Sequence, residues 1–237
     1  MENRRSPIVI LLVVLLLPIL VFTFMYTLTN QNFERLPFEY DLVENGDTVF
    51  HRVPDVVFTE ISGDTFTTSD LNGHLVFMDF YTVREDSLKL TTVLHGNLKR
   101  TYDNIMWDRK PPIRFVSVNT GDDSDQTAAH KESLEATSPG WQFVSVTEKD
   151  LQTLIDAFQI PAFGKWAPGD VPITAQTIAF IDKEGFVRKY FLGTDLAEER
   201  KMQEDIISIM RMEYPEDLED SRDNGEGIFD YLKSNKL

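Results

Sequence analysis

Residues 75–100 read LVFMDFYTVREDSLKLTTVLHGNLKR, a sequence typical of a strand, a short polar turn and a helix. Leu75–Tyr81 is a run of apolar and aromatic residues interrupted by Asp79, which predicts a strand buried on both faces. The polar turn covers residues 82–87. From Leu88, apolar residues recur at steps of three and four, as on a helix that packs against a sheet: Leu90, Val93, Leu94, Leu98, Tyr102 and Ile105. The end of a strand and the start of the next helix are where an α/β sheet places its chemistry, and this turn contains no cysteine.

The rest of the chain continues the alternation of strands and helices. An early hairpin is predicted at 56–60 and 65–67, and a second core strand at 113–118. A helix at 126–136, a third strand at 141–146 and a helix at 148–158 follow. A late hairpin at 177–182 and 186–191 and a helix at 195–212 complete the domain. Thr194 or Asp195 is expected to cap the final helix. This order predicts an α/β fold with a mixed, mainly parallel central sheet and helices on both faces.

The amino terminus carries a candidate membrane segment. Residues 7–26 contain twenty residues without a charge, enough to cross about 30 Å of hydrocarbon as a helix. Arg4 and Arg5 precede it, which favours a cytoplasmic amino terminus and a domain on the other side. A cleaved signal peptide would have an apolar region of about 7–15 residues and a site of small residues, which TFMYTLTNQNF does not offer. We therefore predict a cytoplasmic segment 1–6 and a retained transmembrane helix 7–28.

Three further segments follow the predicted anchor. Residues 29–53 are polar with scattered aromatics and are predicted to be a tether; residues 54–212 form the domain; residues 213–237 form an acidic tail. The formal net charge of −16 argues against binding to nucleic acid or anionic lipid, because the chain's own field would repel both. The sequence contains no cysteine, which excludes disulfides, thiol redox chemistry and thiolate metal sites.

The domain resembles the Sco proteins, which are thioredoxin-like, membrane-anchored copper-handling factors for cytochrome c oxidase assembly. The resemblance covers about residues 54–212 and includes the single amino-terminal anchor. Its most telling stretches are Phe-Tyr-Thr at 80–82, Val-Ser-Val-Asn at 116–119 and Phe-Ile-Asp-Lys-Glu-Gly at 180–185. The resemblance implies a thioredoxin-like fold.

The residues that carry the family's chemistry differ in this sequence. Its turn runs like Y-T-x-C-P-x-x-C-P, and the matching run 81–89 places the two cysteine positions at Arg84 and Leu88. Counting back from residues 181–182 places the family's metal-binding histidine at Thr174. Arginine, leucine and threonine offer no donor comparable to two thiolates and an imidazole, and Arg84 adds a positive charge. We therefore assign no catalytic, cofactor-binding or metal-binding residue and expect no copper cofactor.

Other candidate sites have ordinary structural explanations. No pair among the four histidines has helical spacing of three or four, so we expect packed or solvated side chains at His51, His74, His95 and His130. Glu85 and Asp86 suit the first turn of a helix through its dipole. Residues 119–125 lack the spaced ligands and closing glutamate of a calcium loop, and no serine sits in a G-x-S-x-G motif. The sequence does not predict an enzyme.

The leading hypothesis is a binding or assembly protein without the copper and thiol site, linked to respiratory-complex biogenesis. We expect a single-pass protein of a bacterial inner membrane with a periplasmic domain, and a partner in the respiratory chain or a cysteine-bearing Sco paralogue. One alternative is a copper-handling protein that uses histidine, methionine or the acidic tail. Another is a thiol-independent enzyme with a cleft between Arg84 and Thr174.

Overall fold

The computed structural model describes residues 14–21, 23, 35–42, 48–84, 88–106, 113–121, 124–136, 140–158 and 176–215. The chain divides into two compact units, 1–34 and 35–237. In the first unit, residues 14–21 and 23 are helical. Within the described parts of the chain, no helix combines the length and apolarity needed to cross a membrane. Much of the predicted transmembrane segment 7–28 lies outside the described residues.

The second unit contains an α/β domain. Its strands are β1 (Tyr40–Leu42), β2 (Thr48–Phe50), β3 (Val57–Glu60), β4 (Thr65–Thr67), β5 (Leu75–Tyr81), β6 (Ile113–Asn119), β7 (Trp141–Ser145), β8 (Thr177–Ile181) and β9 (Val187–Leu192). Its α-helices are α1 (Leu88–Met106), α2 (Ser124–Ser133), α3 (Glu148–Phe158) and α4 (Leu196–Met212), and a short 3-10 helix covers Thr68–Leu71. The predicted alternation of strands and helices is confirmed.

Seven strands form one mixed sheet in the order β4-β3-β7-β6-β5-β8-β9. The pairs β5·β6 and β6·β7 are parallel, whereas β3·β4, β3·β7, β5·β8 and β8·β9 are antiparallel. A mixed sheet is as predicted, but the expectation that it is mainly parallel was wrong. Parallel pairing is confined to the three central strands. The outer pairs β3·β4 and β8·β9 are hairpins, whose short turns require antiparallel neighbours. Each hairpin also meets the central strands through an antiparallel pair, β3·β7 and β5·β8.

Both faces of the sheet are covered by helices, as predicted. Leu98 of α1 and Ile206 of α4 belong to the apolar cluster on one face, and Phe158 of α3 belongs to the cluster on the other. Strand β5 supplies Phe77 to the first cluster and Met78 to the second, and all seven of its residues are buried. This strand therefore runs through the centre of the domain, and its carboxyl end leads directly into the turn before α1.

Several element boundaries differ from the predicted ones. Helix α2 ends at Ser133, and a positive φ of 52° at Glu135 follows it. The Asp195 side chain caps α4 by accepting a hydrogen bond from the Ala197 amide at 2.8 Å. Part of the predicted tether forms the antiparallel pair β1·β2, and the second compact unit begins at Arg35.

Gly193, between β9 and α4, packs where a side chain has no room. A Cβ atom there would lie 2.0 Å from Cδ1 of Leu94 and 2.7 Å from Cδ1 of Ile178. We expect Gly193→Ala to lower the free energy of unfolding by about 1–2 kcal/mol, since both contacts are buried side-chain ends that must shift. Denaturant unfolding measures the change.

Gly96 in α1 provides the matched control. A Cβ atom there has no neighbour within 4 Å, and the position is helical. We expect Gly96→Ala to raise the free energy of unfolding by about 0.5–1 kcal/mol. Equal effects of the two substitutions would contradict the close packing assigned to Gly193.

Candidate functional site

The turn between β5 and α1 brings two of the three predicted ligand positions together. The Leu88 amide donates a hydrogen bond to the Arg84 carbonyl at 2.8 Å, so the two residues are one helical turn apart. Arg84 is exposed and Leu88 is 42% exposed, whereas Thr82 and Val83 before them are buried. Thr174, the third position, lies outside the described residues, and so do Glu85 and Asp86.

Polar contacts fix the backbone that leads into this turn. The Thr91 hydroxyl donates to the Thr82 carbonyl at 2.7 Å, which ties the turn to α1. The Thr120 amide donates to the Tyr81 carbonyl at 2.8 Å, which ties it to the end of β6. In the loop after β6, the Asn119 side chain accepts from the Gly121 amide at 2.8 Å, a contact typical of a turn.

The residues at the turn do not fit a copper ion of the Sco kind. The Arg84 guanidinium is cationic and has no lone pair to offer, and the Leu88 side chain is a hydrocarbon. Among the described residues, no three His, Cys, Asp or Glu side chains are grouped so as to hold a metal ion. The described part of the turn presents a cation and an apolar side chain.

Beneath the turn, two histidines and an aspartate form a buried hydrogen-bonded chain. His95 Nε2 lies 3.0 Å from Asp79 Oδ2, and His95 Nδ1 lies 2.8 Å from His130 Nε2. Ser117 Oγ donates to the other Asp79 oxygen at 2.6 Å, and Trp141 Nε1 donates to Ser117 Oγ at 3.0 Å. Asp79 and His95 are 1% and 0% exposed, and His130 is 8% exposed. Residues from β5, β6, β7, α1 and α2 thus meet in one polar array, which we call the Asp79–His95–His130 array.

Burial changes the acid–base properties of this array. It lowers the pKa of His130 to about 4, and the neighbouring His95 lowers it further, while the Asp79 carboxylate acts in the opposite direction. Burial also raises the pKa of Tyr81, whose ring lies 4.7 Å from that of His95. His130 is therefore neutral at pH 7.

The remaining predicted histidines lie elsewhere. His51 is buried, and its Nδ1 atom lies 3.1 Å from the Tyr190 hydroxyl. The buried Nδ1 atom of His74 has no hydrogen-bond partner among the described residues. Burial lowers the pKa of His74, with Arg114 contributing.

The sequence did not indicate the Asp79–His95–His130 array. Asp79 precedes His95 by 16 residues, and His130 follows it by 35, so no local spacing links the three residues. The only signal is a carboxylate inside an otherwise apolar strand, because a buried charge requires hydrogen-bond partners.

Solved structures share the fold of this chain. A SCO1/SenC family lipoprotein from Bacillus anthracis str. Ames matches with a TM-score of 0.52 and 17% identity over 66% of this chain and 93% of its own. ScoI from Arabidopsis thaliana with copper bound matches with a TM-score of 0.51 and 11% identity over 67% and 98%. BsSco, a member of the Sco family of cytochrome c oxidase assembly proteins, matches with a TM-score of 0.50 and 16% identity over 69% and 95%.

These similarities establish a thioredoxin-like fold, so the predicted resemblance to Sco proteins is confirmed at the level of the fold. No protein-family model matches the sequence, and no curated protein matches it.

Proposed function

We propose that this chain is a membrane-anchored protein of Sco type that binds or assembles other proteins and does not use the copper and thiol chemistry of its relatives. The observation that carries the proposal is the turn after β5: the thioredoxin-like fold is retained, while Arg84 and Leu88 stand at the positions that the sequence resemblance matches to the family's cysteines. A domain of this kind acts through its surface. We propose cytochrome c oxidase assembly as its setting, with a respiratory-chain component or a cysteine-bearing Sco paralogue as partner.

The surface around the turn supports a binding role. Arg84 and Leu88 are exposed on a backbone held by hydrogen bonds to α1 and β6. A rigid, exposed pair of a cation and an apolar side chain suits protein recognition, since arginine is enriched where proteins bind one another. A pull-down from solubilised membranes should lose its partner with Arg84→Glu and keep it with the distant exposed substitution Arg200→Glu.

Anchoring is the second part of the proposal. Residues 7–26 are uncharged and preceded by Arg4 and Arg5, which supports a single span with the domain on the periplasmic side of a bacterial inner membrane. We expect the chain to stay with the membrane pellet after extraction at alkaline pH and to be released by detergent. Release of the chain from the membrane without detergent would contradict the anchor. It would not contradict the binding role, which the pull-down tests separately.

Copper binding tests the proposed loss of the metal site directly. We expect the purified full-length chain in detergent to retain no copper after dialysis, because the described turn offers no soft donor. One equivalent that survives dialysis would overturn the proposal and favour copper handling through other ligands.

A gain-of-function variant tests whether the three positions correspond to the family's ligands. We expect the triple substitution Arg84→Cys, Leu88→Cys and Thr174→His to bind one copper ion, since it restores two thiolates and an imidazole at the matching positions. The control replaces Arg84 and Leu88 alone and should bind copper more weakly. A triple variant that binds no better than this control would show that Thr174 does not correspond to the family's histidine.

A further inference from the structure

The hydrogen-bond directions in the Asp79–His95–His130 array follow from which groups can only donate or only accept. The Trp141 indole can only donate, so Ser117 Oγ accepts from it at 3.0 Å and directs its own proton at Asp79 Oδ1. A carboxylate can only accept, so His95 carries its proton on Nε2, 3.0 Å from Asp79 Oδ2. Before proton uptake, Nδ1 of His95 carries a lone pair, and His130 donates to it from Nε2 across 2.8 Å.

Two chains of hydrogen bonds therefore end on one buried carboxylate, one from Trp141 through Ser117 and one from His130 through His95. Among the described residues, no lysine or arginine forms an ion pair with Asp79, whose only such partner is His95. With both imidazoles neutral, the array carries a net charge of −1 in a site from which water is nearly excluded. A buried charge without a counter-charge is costly, and uptake of one proton removes it.

We propose that Asp79, His95 and His130 form a buried proton-binding site that is filled through His130. A proton adds to the free lone pair on Nδ1 of His130. The proton on Nε2 of His130 then passes to Nδ1 of His95, and the resulting His95 imidazolium stays paired with the Asp79 carboxylate across 3.0 Å. The transfer breaks one N–H bond and forms another, so one proton is gained overall: His95 ends as the cation, and His130 ends neutral with its proton on Nδ1.

The burial pattern supports entry at His130. Asp79 and His95 are 1% and 0% exposed, whereas His130 is 8% exposed and its Nδ1 atom faces away from His95. His130 is thus the member of the array that solvent reaches. The distances of 2.8 and 3.0 Å between successive members are those of direct hydrogen bonds, so no intervening water is required.

Few other charges face the array. From β5, Tyr81 contacts both imidazole rings, and burial raises the pKa of its phenol, which stays neutral. Strands β6 and β7 contribute the neutral side chains Ser117, Trp141 and Phe143. On α2, the Lys131 ammonium lies over the Phe143 ring at 5.8 Å. Proton uptake is therefore governed by the array itself.

Imidazole nitrogen NMR on the full-length chain in detergent tests the proposal. At pH 8 we expect both His95 and His130 to carry their proton on Nε2. Between pH 8 and pH 4 we expect the signals of both rings to change with one common midpoint. Separate midpoints, or a neutral-pH form of either ring with its proton on Nδ1, would overturn the proposal.

Two substitutions should move the midpoint in opposite directions. Asp79→Asn removes the charge that attracts the proton, and we expect the proton affinity to fall at least about threefold. Ser117→Ala removes a hydrogen bond that stabilises the ionised carboxylate, and we expect the affinity to rise by a similar factor. His51→Gln, which alters a histidine bound to Tyr190 elsewhere in the domain, should leave the midpoint unchanged. Shifts of the same sign for the first two variants would refute the site. If Asp79→Asn fails to fold, Ser117→Ala is tested alone, and an unchanged or lower proton affinity of that variant would refute the site.

Discussion

Replacement of Arg188 by methionine is expected to lower the free energy of unfolding by about 3–5 kcal/mol. The Arg188 side chain is 1% exposed and makes a two-pronged contact with Glu213 at 2.7 and 2.8 Å, with Asp182 at 3.3 Å beside it. Its other N–H groups donate to the carbonyls of Pro37 and Leu36, so all five donors have an acceptor. Methionine fills similar space but leaves two carboxylates facing each other without their cation, which is the costly way to break a buried ion pair.

The neighbouring Lys189 provides the matched control on the same strand. Its ammonium pairs with Asp205 at 2.6 Å, but the two side chains are 35% and 20% exposed, so solvent screens the pair. We expect Lys189→Met to change the free energy of unfolding by about 1 kcal/mol or less. Urea unfolding of both full-length variants makes the comparison, and equal losses would show that burial of Arg188 does not determine its contribution.

Arg188 also joins both ends of the domain. It contacts the residues before β1, the hairpin of β8 and β9, and Glu213 at the end of α4. Glu213 was predicted to be the first residue of an acidic tail, yet it closes this ion cluster, and Tyr214 after it is 9% exposed. The described start of that segment therefore belongs to the packed domain, and residues 216–237 lie outside the described residues.

The sequence predicted most of the central sheet because buried strands are readable from their composition. The bounds of β5 and α3 match the predicted ones at both ends. Each is a pattern of apolar residues of the right period between polar turns, and no distant contact is needed to recognise it. Strands β1 and β2 were missed, since three-residue strands in a polar segment carry too few apolar positions to show a period.

The buried face of α1 shows why the site was harder to predict. Apolar spacing placed Val93 on that face, but it is 42% exposed. Polar residues occupy much of the buried face instead, namely Thr91, His95, Asn97 and Thr101. Hydrophobic periodicity counts only apolar residues, whereas three of these side chains are buried through hydrogen bonds: Thr91 to the Thr82 carbonyl, His95 to Asp79 and Asn97 to the Gly193 carbonyl.

Acidification is expected to destabilise the domain through His130. Burial lowers the pKa of this imidazole from 6.5 to about 4, so the unfolded chain binds a proton more readily between these pH values. Stability from this group is fully present above pH 6.5, falls as the pH drops towards 4 and changes no further below that. At about 1.4 kcal/mol per pH unit, the change from 6.5 to about 4 corresponds to at most about 3.5 kcal/mol, and we expect about 2 kcal/mol because His130 is 8% exposed and solvent screens part of the effect.

His130→Gln isolates this contribution from that of the many carboxylates. Glutamine cannot be protonated, but its side-chain amide can still donate a hydrogen bond to Nδ1 of His95. Urea unfolding at pH 7 and pH 4, followed by fluorescence of the buried Trp141, should show a loss on acidification that is about 2 kcal/mol smaller in the variant. The carboxylates titrate alike in both proteins and cancel in the difference. An equal loss in the two proteins would mean that His130 does not titrate differently in the folded and unfolded chains, and that its position against His95 and Asp79 does not hold it neutral.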